Sequence, residues 1–443
     1  MSKLIRGLGE TALYRKKSNM LEKIIDRRNV EQGLKQVIAN KGVGGIDDMQ
    51  LDELRPFINS NYQQLRTSIL EGSYQPHAVK KVEIQKPQGG KRMLGIPTVR
   101  DRLIQQCTYQ VLNGMYDKTF DEWSYGFRPK RNAHQAILQA QYFLNEGYVW
   151  TVELDLAKFF DTVNHDKLMG ILMKGIEDKR VLKLIRGFLR AGIMEGGMVS
   201  PRTEGTPQGS PLSPLLSNII LDKLDKELRT RGHRFVRYAD DCTIYVKSEK
   251  SAKQVAESII KYIEKELKLK VNREKTRIGR ATQSNLLGYS FYNDKGKWEP
   301  RLSDKTKERL KAKCKNITQR SIGQSTKEQI QKLRMIIPGW INYFILAKTK
   351  TVLEKLDEYI RTRLRIGVWK QWKRPTTRVK NLIKLGISKT QSYMWGNSSK
   401  GYCRIAHSPI LLRTLNNAYW RKQGYKGFAE TYRERKEVQP SLF

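Results

Sequence analysis

Two adjacent aspartates, set between two apolar runs, constrain this chain more than any other feature. The tetrad Tyr238-Ala239-Asp240-Asp241 separates Phe235-Val236-Arg237 from Thr243-Ile244-Tyr245-Val246. Both runs have the residue types of strands, so the sequence predicts a tight hairpin with two carboxylates. A core has no use for two repelling charges, whereas Mg²⁺ binds carboxylate oxygens together with phosphates. An Asp-Asp pair on its own would more often be a solvated surface turn, so other segments decide between the two interpretations.

A third carboxylate follows another predicted strand. Tyr148-Val149-Trp150-Thr151-Val152-Glu153-Leu154 alternates apolar and polar residues and leads into Asp155, which Phe159-Phe160-Asp161 follows. A carboxylate at the end of one strand, facing two on a hairpin, is the arrangement that two-metal phosphoryl transfer requires.

The charge balance indicates a polyanionic partner. The chain has 443 residues with 84 Lys and Arg against 44 Asp and Glu, a net charge of +40. Residues 301–443 hold 33 basic and 9 acidic residues, and residues 1–300 hold 51 and 35. Basicity sustained over such a length is typical of a nucleic-acid track, most strongly in the last third. A purely electrostatic binder would share it, so charge indicates the class of partner and not the reaction.

The cysteines and histidines exclude several classes of protein. The four cysteines are far apart in sequence, and the five histidines are scattered, so zinc-ribbon and disulfide frameworks are not expected. No signal peptide is visible in Met1–Ile5, and no apolar run has the length of a membrane span. These features predict a reduced, cytoplasmic compartment and no membrane partner.

Three further segments, taken together with the carboxylates, are candidates for contacts with a nucleotide or template. Gly205–Pro214 is a Gly- and Pro-rich loop that opens a helix, which suits phosphates or base edges, although alone it would be interpreted as a rigid cap. In Tyr125-Gly126-Phe127-Arg128-Pro129, Arg128 is a candidate clamp for template or phosphate. Lys86 and Arg92 flank the Gly89-Gly90 turn and would suit a triphosphate.

Periodicity predicts the elements between these motifs. A helix over Leu51–Leu70 is expected to break near Pro56, and Met198–Thr206 is expected to form a turn-rich strand pair. Pro375 and Thr376-Thr377 suggest a linker, followed by a small, basic, partly irregular tail over 380–443. The other predicted helices are Asp101–Met115, Ala133–Asn145, Ser213–Arg231, Ala252–Leu267, Ser303–Thr318, Thr326–Leu346 and Val352–Trp372.

The order and content of these segments resemble the reverse transcriptases of bacterial group II introns, the intron-encoded maturases. The resemblance covers about residues 25–430 and also includes Gly339-Trp340-Ile341-Asn342-Tyr343-Phe344, which is similar to the maturase-specific signature. The remaining motifs that carry it are Gly95–Arg102, Ser124–Pro129, Asp155 with Phe159-Phe160-Asp161, Gly205–Gly209, Tyr238–Asp241, Leu269–Asn272 with Lys275-Thr276, and Leu286–Tyr289.

Two departures narrow the resemblance. Ser210 stands where some members carry a second glycine, and the region after Pro375 lacks the paired cysteines and histidines of an HNH endonuclease. The tail resembles that of compact class C maturases without the endonuclease. We therefore expect no protein-made cut in the second DNA strand, and priming from an existing 3′ end.

The resemblance implies an α+β fold of the right-hand polymerase type. Fingers and palm would occupy residues 1–300, a helical thumb 301–375 and a DNA-binding tail 376–443. Trp340, Tyr343 and Phe344 are expected to pack inside the thumb while neighbouring Lys and Arg side chains touch RNA.

The resemblance also implies roles for individual residues. Asp155, Asp240 and Asp241 would be catalytic and, with Leu156, would form the site for two Mg²⁺ ions, with Mn²⁺ as a substitute. Phe160 would lie under the sugar and exclude a 2′-hydroxyl, although a core aromatic is an alternative. Gln208, Lys86, Arg92 and Lys275 would bind the incoming nucleotide. RNA or template contacts would come from Arg128, Arg237, Lys311 and Lys315, and DNA contacts in the tail from Trp395, Tyr402 and Trp420.

The implied activity is RNA-directed DNA synthesis, with a second role in intron splicing. The expected partners are group II intron RNA, an RNA template, a DNA primer or target and dNTPs, in ribonucleoprotein or at the nucleoid of a bacterial cytoplasm. A non-catalytic RNA-binding splicing factor is one alternative, and a domesticated reverse transcriptase in defence or repair is another. Intact Asp155, Asp240 and Asp241 argue against the former.

Overall fold

The described residues form two compact units. The computed structural model describes residues 19–85, 89–195, 198–207, 209–321 and 323–438. The first unit comprises the described residues up to Ala136 together with Trp150–Ile278, and the second comprises Ile137–Val149 with the described residues from Gly279 onward. The three-part division of the chain expected from sequence stays a prediction.

The first unit combines helices with two small sheets. Helix α5, Ala133–Asn145, begins in this unit and continues into the second. The strands are β1 Val79–Gln85, β2 Lys91–Ile96, β3 Trp150–Leu154, β4 Ile193–Glu195, β5 Met198–Ser200, β6 Arg234–Tyr238, β7 Asp241–Val246 and β8 Arg277–Arg280. The other helices are α1 Met20–Ile24, α2 Arg27–Ala39, α3 Leu51–Glu71, α4 Val99–Tyr116, α6 Phe159–Thr162, α7 His165–Met173, α8 Lys179–Arg190, α9 Ser213–Thr230 and α10 Glu249–Glu266.

The sheet that matters for the site has the strand order β6-β7-β3-β8. Strands β6 and β7 are antiparallel with Tyr238 opposite Asp241, which confirms the predicted hairpin with Ala239 and Asp240 as its loop. Strand β3 is antiparallel to β7 with Leu154 opposite Cys242, so the end of β3 reaches the hairpin tip. The other sheet has the order β2-β1-β4-β5. Mixed helices and antiparallel strands confirm the α+β class.

Two long helices are buried along most of their surface. In α4, Val99, Leu103 and Ile104 are fully buried beside the polar side chains of Asp101 and Thr108. In α9, every residue from Leu215 to Asp222 is buried, including the polar side chains of Ser217, Asn218 and Asp222. Helices that are buried on all sides occupy the centre of a domain. The core of this unit therefore lies around α4 and α9, under the β6-β7-β3 sheet residues Phe235, Ile244 and Val152.

The second unit is mostly helical. It contains the hairpin β9 Tyr289–Asp294 and β10 Lys297–Leu302, whose strands are antiparallel. Its helices after α5 are α11 Asp304–Ile317, α12 Thr326–Tyr343, α13 Lys350–Gln371, α14 Pro375–Lys384, α15 Lys389–Gly396, α16 Tyr402–Ala406, α17 Pro409–Thr414, α18 Asn417–Lys422 and α19 Phe428–Val438. Within the described parts of the chain, no helix is both long and apolar enough to cross a membrane.

An aromatic cluster packs around the C-terminal end of α12. Trp340 and Phe344 are half-buried in it, whereas Tyr343 is 38% exposed, so the expectation that all three pack inside is wrong for Tyr343. The ring centroids of Trp340 and Phe344 are 4.6 Å apart, and those of Tyr289 and Phe344 are 5.1 Å apart. Gly288 has a φ of +85°, and a Cβ there would lie 3.2 Å from the Phe344 ring. The glycine in Leu286-Leu287-Gly288-Tyr289 is therefore required by both backbone conformation and space.

Two expected interruptions are wrong. Helix α3 runs unbroken from Leu51 to Glu71 through Pro56, so the single backbone hydrogen bond that the proline removes does not end it. Pro375 opens helix α14 and is not in a linker, because the first helical position needs no backbone N–H. The strand β5 pairs with β4, which precedes it, rather than with residues up to Thr206.

Candidate active site

The three aspartates lie at one end of the β6-β7-β3 sheet. Asp240 is in the loop of the β6–β7 hairpin, Asp241 begins β7, and Asp155 follows β3 beside it. The backbone around Asp155 is fixed by a neighbouring segment, since its carbonyl oxygen accepts a 2.8 Å hydrogen bond from the Asn272 amide. Leu156 forms an isolated bridge with Val271. Because the Leu156 side chain is apolar and buried, only its carbonyl oxygen can serve a metal.

Crowded negative charge marks this end of the sheet. Loss of water around Asp241, and then the charges of Asp240, Asp155 and Glu153, raise the pKa of Asp241 to about 6. Asp241 is exposed at the start of β7, so the repulsion of its acidic neighbours acts on a carboxylate that solvent can reach. Like charges nearby make the ionised form of a carboxylate less stable, and a bound cation offsets this repulsion.

The protein donors fit a metal that takes further ligands from a substrate. Among the residues that the structure describes, no three His, Cys, Asp or Glu side chains converge closely enough to hold a metal ion by themselves. Mg²⁺ in phosphoryl-transfer sites is commonly held by one or two carboxylates, with phosphate oxygens and water completing its shell. Asp155, Asp240 and Asp241, of which the first two act electrostatically on the third, are the candidates for those one or two carboxylates.

A buried ion pair supports the catalytic hairpin from beneath. Arg237, on β6, is fully buried and donates two hydrogen bonds of 2.7 and 2.6 Å to the carboxylate of Asp225 on α9. Its remaining nitrogen, Nη1, donates to the Asn218 side chain and to the carbonyl oxygen of Ala239, both at 2.9 Å. Ala239 adopts a left-handed φ of +59°, so Arg237 stabilises the unusual residue directly before Asp240.

Gly126 completes this support. The Asn218 amide donates a 2.9 Å hydrogen bond to the Gly126 carbonyl oxygen. A Cβ on Gly126 would lie 2.2 Å from the Ala239 backbone nitrogen, so no larger residue fits against the hairpin loop. The glycine in Ser124-Tyr125-Gly126-Phe127-Arg128-Pro129 thus serves close backbone packing beneath the aspartates.

Phe160 faces a cavity, while Phe159 is in the core. Phe159 is 2% exposed, and Phe160 is half-buried with its ring centroid 5.2 Å from that of Phe159. Phe160 lines a cavity of about 470 Å³ with Gly209, Ser210 and Pro211 from the Gly- and Pro-rich loop, and with Arg102 from α4. The structure therefore brings together the predicted sugar contact and the loop that was predicted to meet the nucleotide.

The Gly- and Pro-rich loop is attached to the segment that carries Phe160. The Thr206 amide donates a 2.6 Å hydrogen bond to the Phe160 carbonyl oxygen, and the Gly205 amide donates to that of Val163. His165 Nε2 lies 2.6 Å from the Gly205 carbonyl oxygen. Burial lowers the pKa of His165, so the neutral ring with a proton on Nε2 is favoured as the donor. His165 was not identified from sequence.

Lys275 lies in a turn next to Asp155. The Lys275 amide donates to the Asn272 backbone and side chain, and the hydroxyl of Thr276 lies 3.4 Å from the Asp155 amide. The Lys275 side chain is exposed. The structure is thus compatible with an ammonium group near the carboxylates.

Three predicted nucleotide contacts fall wholly or partly outside the residues that the structure describes. Lys86 and Gln208 lie outside them, as does the side chain of Arg92. Another cation, Arg202, was not identified from sequence. It lines a second cavity of about 460 Å³ with Lys81 and Lys158, and burial lowers its pKa.

Two predicted RNA contacts are wrong. Arg237 has no exposed surface, and its guanidinium is used within the protein as described above. The Arg128 side chain is 6% exposed and donates from Nε to Asp117 at 2.7 Å. Its terminal nitrogens donate to the carbonyl oxygens of Asp117, Asp121 and Ser124. Both arginines hold loops in place, because a buried guanidinium requires partners for all its donors.

The predicted contacts in the second unit divide by exposure. Lys311 and Lys315 are exposed on α11, and Tyr402 is 37% exposed at the start of α16. Trp395 is half-buried with the Lys400 ammonium 4.9 Å from its ring centroid. Trp420 is 1% exposed within α18, so its prediction as a DNA contact is wrong: it packs in the core.

Sequence signals existed for part of the missed network. Asp225 follows Leu221 and Leu224 on α9 and precedes Leu228, so a charge interrupts an apolar helix. Arg237 is two residues from Phe235 on β6, which places it on the same face as a buried aromatic. A buried carboxylate and a buried guanidinium at such positions indicate an internal pair. Asn218 and His165 carry no comparable signal.

Two family models match this chain. Residues 84–291 match "Reverse transcriptase (RNA-dependent DNA polymerase)". Residues 307–386 match "Group II intron, maturase-specific domain". The first range contains the three aspartates, Phe160 and the Arg237 network. The second contains α12, α13 and the predicted RNA contacts Lys311 and Lys315.

Two curated proteins illustrate the relationship. The chain is 32% identical to Protein YkfC of Escherichia coli over 281 residues, which cover 54% of this chain and 74% of YkfC. It is 30% identical to the Group II intron-encoded protein LtrA of Lactococcus lactis over 321 residues, or 57% of this chain and 53% of LtrA. The match thus spans about half the length of LtrA.

A yeast relative shows the same pattern. The chain is 28% identical to the Putative COX1/OXI3 intron 1 protein of Saccharomyces cerevisiae over 358 residues, covering 66% of this chain and 43% of that protein. In this chain, a range that matches a polymerase is followed by a range that matches a maturase-specific domain, and some of its relatives are encoded in introns. The chain belongs to the family of group II intron-encoded reverse transcriptases and maturases.

Proposed function

We propose that this protein is an RNA-directed DNA polymerase that extends a DNA primer on an RNA template and also binds its group II intron RNA to promote splicing and retrohoming. The observation that supports the polymerase most directly is the carboxylate set at the tip of a hairpin held by the Arg237 network. The ion pair of Arg237 and Asp225 lies buried beneath these carboxylates, and a buried ion pair is costly to form. A protein that made no use of the carboxylates would not need it.

We assign the roles of the site residues as follows. Asp155, Asp240 and Asp241, with the Leu156 carbonyl oxygen, would hold two Mg²⁺ ions, or Mn²⁺ in their place. Metal ions bound there would stabilise charge on the attacking and leaving oxygens of the phosphoryl transfer. Phe160 would pack under the sugar, and Ser210 and Gly209 would border the nucleotide from the other side of the cavity. Lys275, Lys86, Arg92 and Gln208 remain our candidates for contacts with the triphosphate and base.

The splicing role rests on different residues. The maturase-specific range 307–386 contains Lys311 and Lys315, and the residues from 301 onward carry a net charge of +24. In this role the protein would stabilise the folded RNA by neutralising phosphates, and the RNA would perform the chemistry. We place this activity in a ribonucleoprotein of the bacterial cytoplasm that is associated with the nucleoid.

Primer extension on an RNA template tests the polymerase. Asp240→Ala and Asp155→Ala should each lower the extension rate by at least about 100-fold, because they remove charge stabilisation that the transition state uses. Asp166→Ala is the matched control, since Asp166 is an exposed carboxylate on α7 that pairs with Arg186. RNA affinity should be unchanged in all three. Extension near the parent rate in Asp240→Ala would refute the assignment.

A further inference from the structure

Within the second unit, three grooves differ in how far acidic side chains compensate the cations that line them. In one, of about 660 Å³, Glu430 and Glu434 form ion pairs with Arg421 and Lys426. Another contains as many acidic as basic side chains, Glu354 and Asp357 among them. The third, of about 970 Å³, has no acidic side chain among the described residues that line it. Phosphates would therefore be attracted most strongly by the third.

Cations from three helices line or border this third groove. Lys315 and Arg320 come from α11 and the turn after it, Arg363 from α13 and Arg404 from α16. Arg363 donates 2.7 and 3.1 Å hydrogen bonds to the Thr318 hydroxyl and the Lys315 carbonyl oxygen, which fixes α13 against the end of α11. Lys370 donates to the Arg320 carbonyl oxygen at 3.1 Å and holds the turn. These hydrogen bonds therefore fix the backbone segments that carry the cations.

Aromatic rings lie beside these cations. The Lys311 ammonium lies 5.3 Å and the Arg363 guanidinium 5.6 Å from the centroid of the Tyr359 ring, which is next to the groove and not in its lining. The Arg320 guanidinium lies 4.9 Å from the centroid of the Tyr402 ring, which lines the groove. Lys311 and Lys315 are four residues apart and share a face of α11, whereas Lys313 projects elsewhere. A groove that combines cations with an aromatic ring is the usual path for single-stranded nucleic acid.

The groove crosses the boundary between the maturase-specific range and the tail. Lys315, Arg320 and Arg363 lie within residues 307–386, while Tyr402 and Arg404 lie beyond them. Of the three aromatic residues assigned to DNA from sequence, Trp420 is buried and only Tyr402 reaches this groove. Asn316, Gln319 and Ser321 add amide and hydroxyl groups that can bind ribose 2′-hydroxyls.

We propose that the α11–α13–α16 groove, defined by Lys315, Arg320, Arg363, Tyr402 and Arg404, binds one single-stranded segment of RNA, so that the tail residues Tyr402 and Arg404 act with the thumb and not as a separate DNA platform. The phosphates lie along the cations, and the exposed side of Tyr402 stacks on a base. The proposal rests on the proposed RNA-binding function and specifies its surface. The occupant is RNA because most of the lining belongs to the maturase-specific range.

Binding of labelled oligonucleotides to the full chain tests the surface. The probes are a fluorescent 20-nucleotide unstructured RNA and a DNA of the same sequence, titrated at several salt concentrations. Tyr402→Ala should weaken RNA binding at least about fivefold, whereas Tyr402→Phe should retain it, because stacking needs the ring and not the hydroxyl. Lys311→Ala with Lys315→Ala should lower the salt slope by about 1.4, and Arg404→Ala by about 0.7. Lys313→Ala is the control and should change neither.

Cys403 offers an independent readout inside the groove. It is exposed, while Cys107, Cys242 and Cys314 are buried, so a maleimide should label the native protein at Cys403 first. Saturating RNA should slow this labelling at least about tenfold, as a bound strand would cover the thiol, and the matched DNA should protect it less.

The outcomes separate this proposal from the general function. If the α11 double variant loses RNA affinity while Tyr402→Ala, Arg404→Ala and Cys403 labelling are unaffected, RNA binding stands and the shared groove is refuted. If DNA protects Cys403 and depends on Tyr402 more than RNA does, the tail is a DNA platform and the proposal is also refuted. Primer extension by the same variants at saturating primer–template reports separately on the polymerase.

Discussion

At the scale of single residues, two neighbours in sequence have opposite surroundings. Phe159 is in the core and Phe160 borders the cavity next to Gly209 and Ser210. The sequence analysis placed the sugar contact at Phe160 and left a core role open as the alternative. Half-burial against an open cavity favours the former, because a core aromatic would be enclosed like Phe159.

Phe160→Ala should therefore increase incorporation of ribonucleotides relative to deoxynucleotides, since the space under the sugar would admit a 2′-hydroxyl. The measurement is single-nucleotide incorporation of rNTP and dNTP opposite one template base. Phe159→Leu is the matched control: it should lower stability by about 1 kcal/mol through lost core packing and leave the selectivity ratio unchanged. A ratio that changes in Phe159→Leu but not in Phe160→Ala would exchange the two roles.

The position of Asp240 depends on residues that never touch a substrate. Asn218→Ala would remove the donor to the Gly126 carbonyl oxygen and the acceptor of one of the two N–H groups of Arg237 Nη1. We expect a loss of roughly 1–3 kcal/mol in the free energy of unfolding, together with a lower extension rate, because the Ala239 turn would relax. Thermal unfolding and single-turnover extension measure the two effects. A destabilised variant with the parent rate constant for extension would show that the hairpin does not need this network.

At the scale of elements, one carboxylate joins helix α13 to α19, the last described helix. Asp357, on α13, accepts hydrogen bonds from the Tyr425 hydroxyl at 2.7 Å and from the Phe428 and Ala429 amides at 2.9 Å. These amides open α19, where a negative charge is favoured. Gly427 has a φ of +85°, and a Cβ there would lie 2.8 Å from an Asp357 carboxylate oxygen. The turn before α19 is thus shaped around Asp357.

Asp357→Ala should loosen α19 without unfolding the first unit. Removing an acceptor of three hydrogen bonds leaves buried donors unpaired, at a cost of about 2–4 kcal/mol locally. Hydrogen exchange of α19 amides and cleavage by trypsin at Arg433 or Arg435 should both accelerate. Glu358→Ala changes an exposed neighbour on the same helix and is the control. Unchanged exchange across α19 would mean that other contacts hold the helix.

Local sequence predicted the elements better than their surroundings. The hairpin with Asp240 and Asp241 and the helix Ala133–Asn145 were predicted correctly, because alternation and helical periodicity are local signals. Pro375 was misassigned to a linker, since proline disfavours a helix interior yet favours its first position. Arg128, Arg237 and Trp420 were misassigned to ligands, because residue type predicts chemistry but burial is decided by distant segments. The partner of Arg237, for example, is Asp225 on another element.

At the scale of the whole molecule, charge and chemistry are located in different parts of the chain. The aspartates and their supporting network belong to residues 150–278 with 19–136, whereas the uncompensated basic groove lies after residue 279. The matching family models divide the chain in the same sense, with the polymerase range ending at 291 and the maturase-specific range beginning at 307. If the chain has two roles, variants should therefore affect them separately.

Splicing and polymerisation should be separable by substitution. Asp240→Ala should abolish primer extension but retain RNA affinity and stimulation of splicing of the group II intron RNA around its reading frame, because an RNA-catalysed reaction does not use the protein carboxylates. Lys311→Ala with Lys315→Ala should weaken RNA binding and splicing stimulation while retaining most of the extension rate at saturating primer–template, since the site aspartates are intact. Both activities are measured on the same preparations, with Lys313→Ala as the control for charge alone.

Loss of both activities in both variants would show that one surface serves the two roles. A double variant that binds RNA and extends primers like the parent, with no splicing stimulation in any form of the protein, would favour a reverse transcriptase that has left its intron.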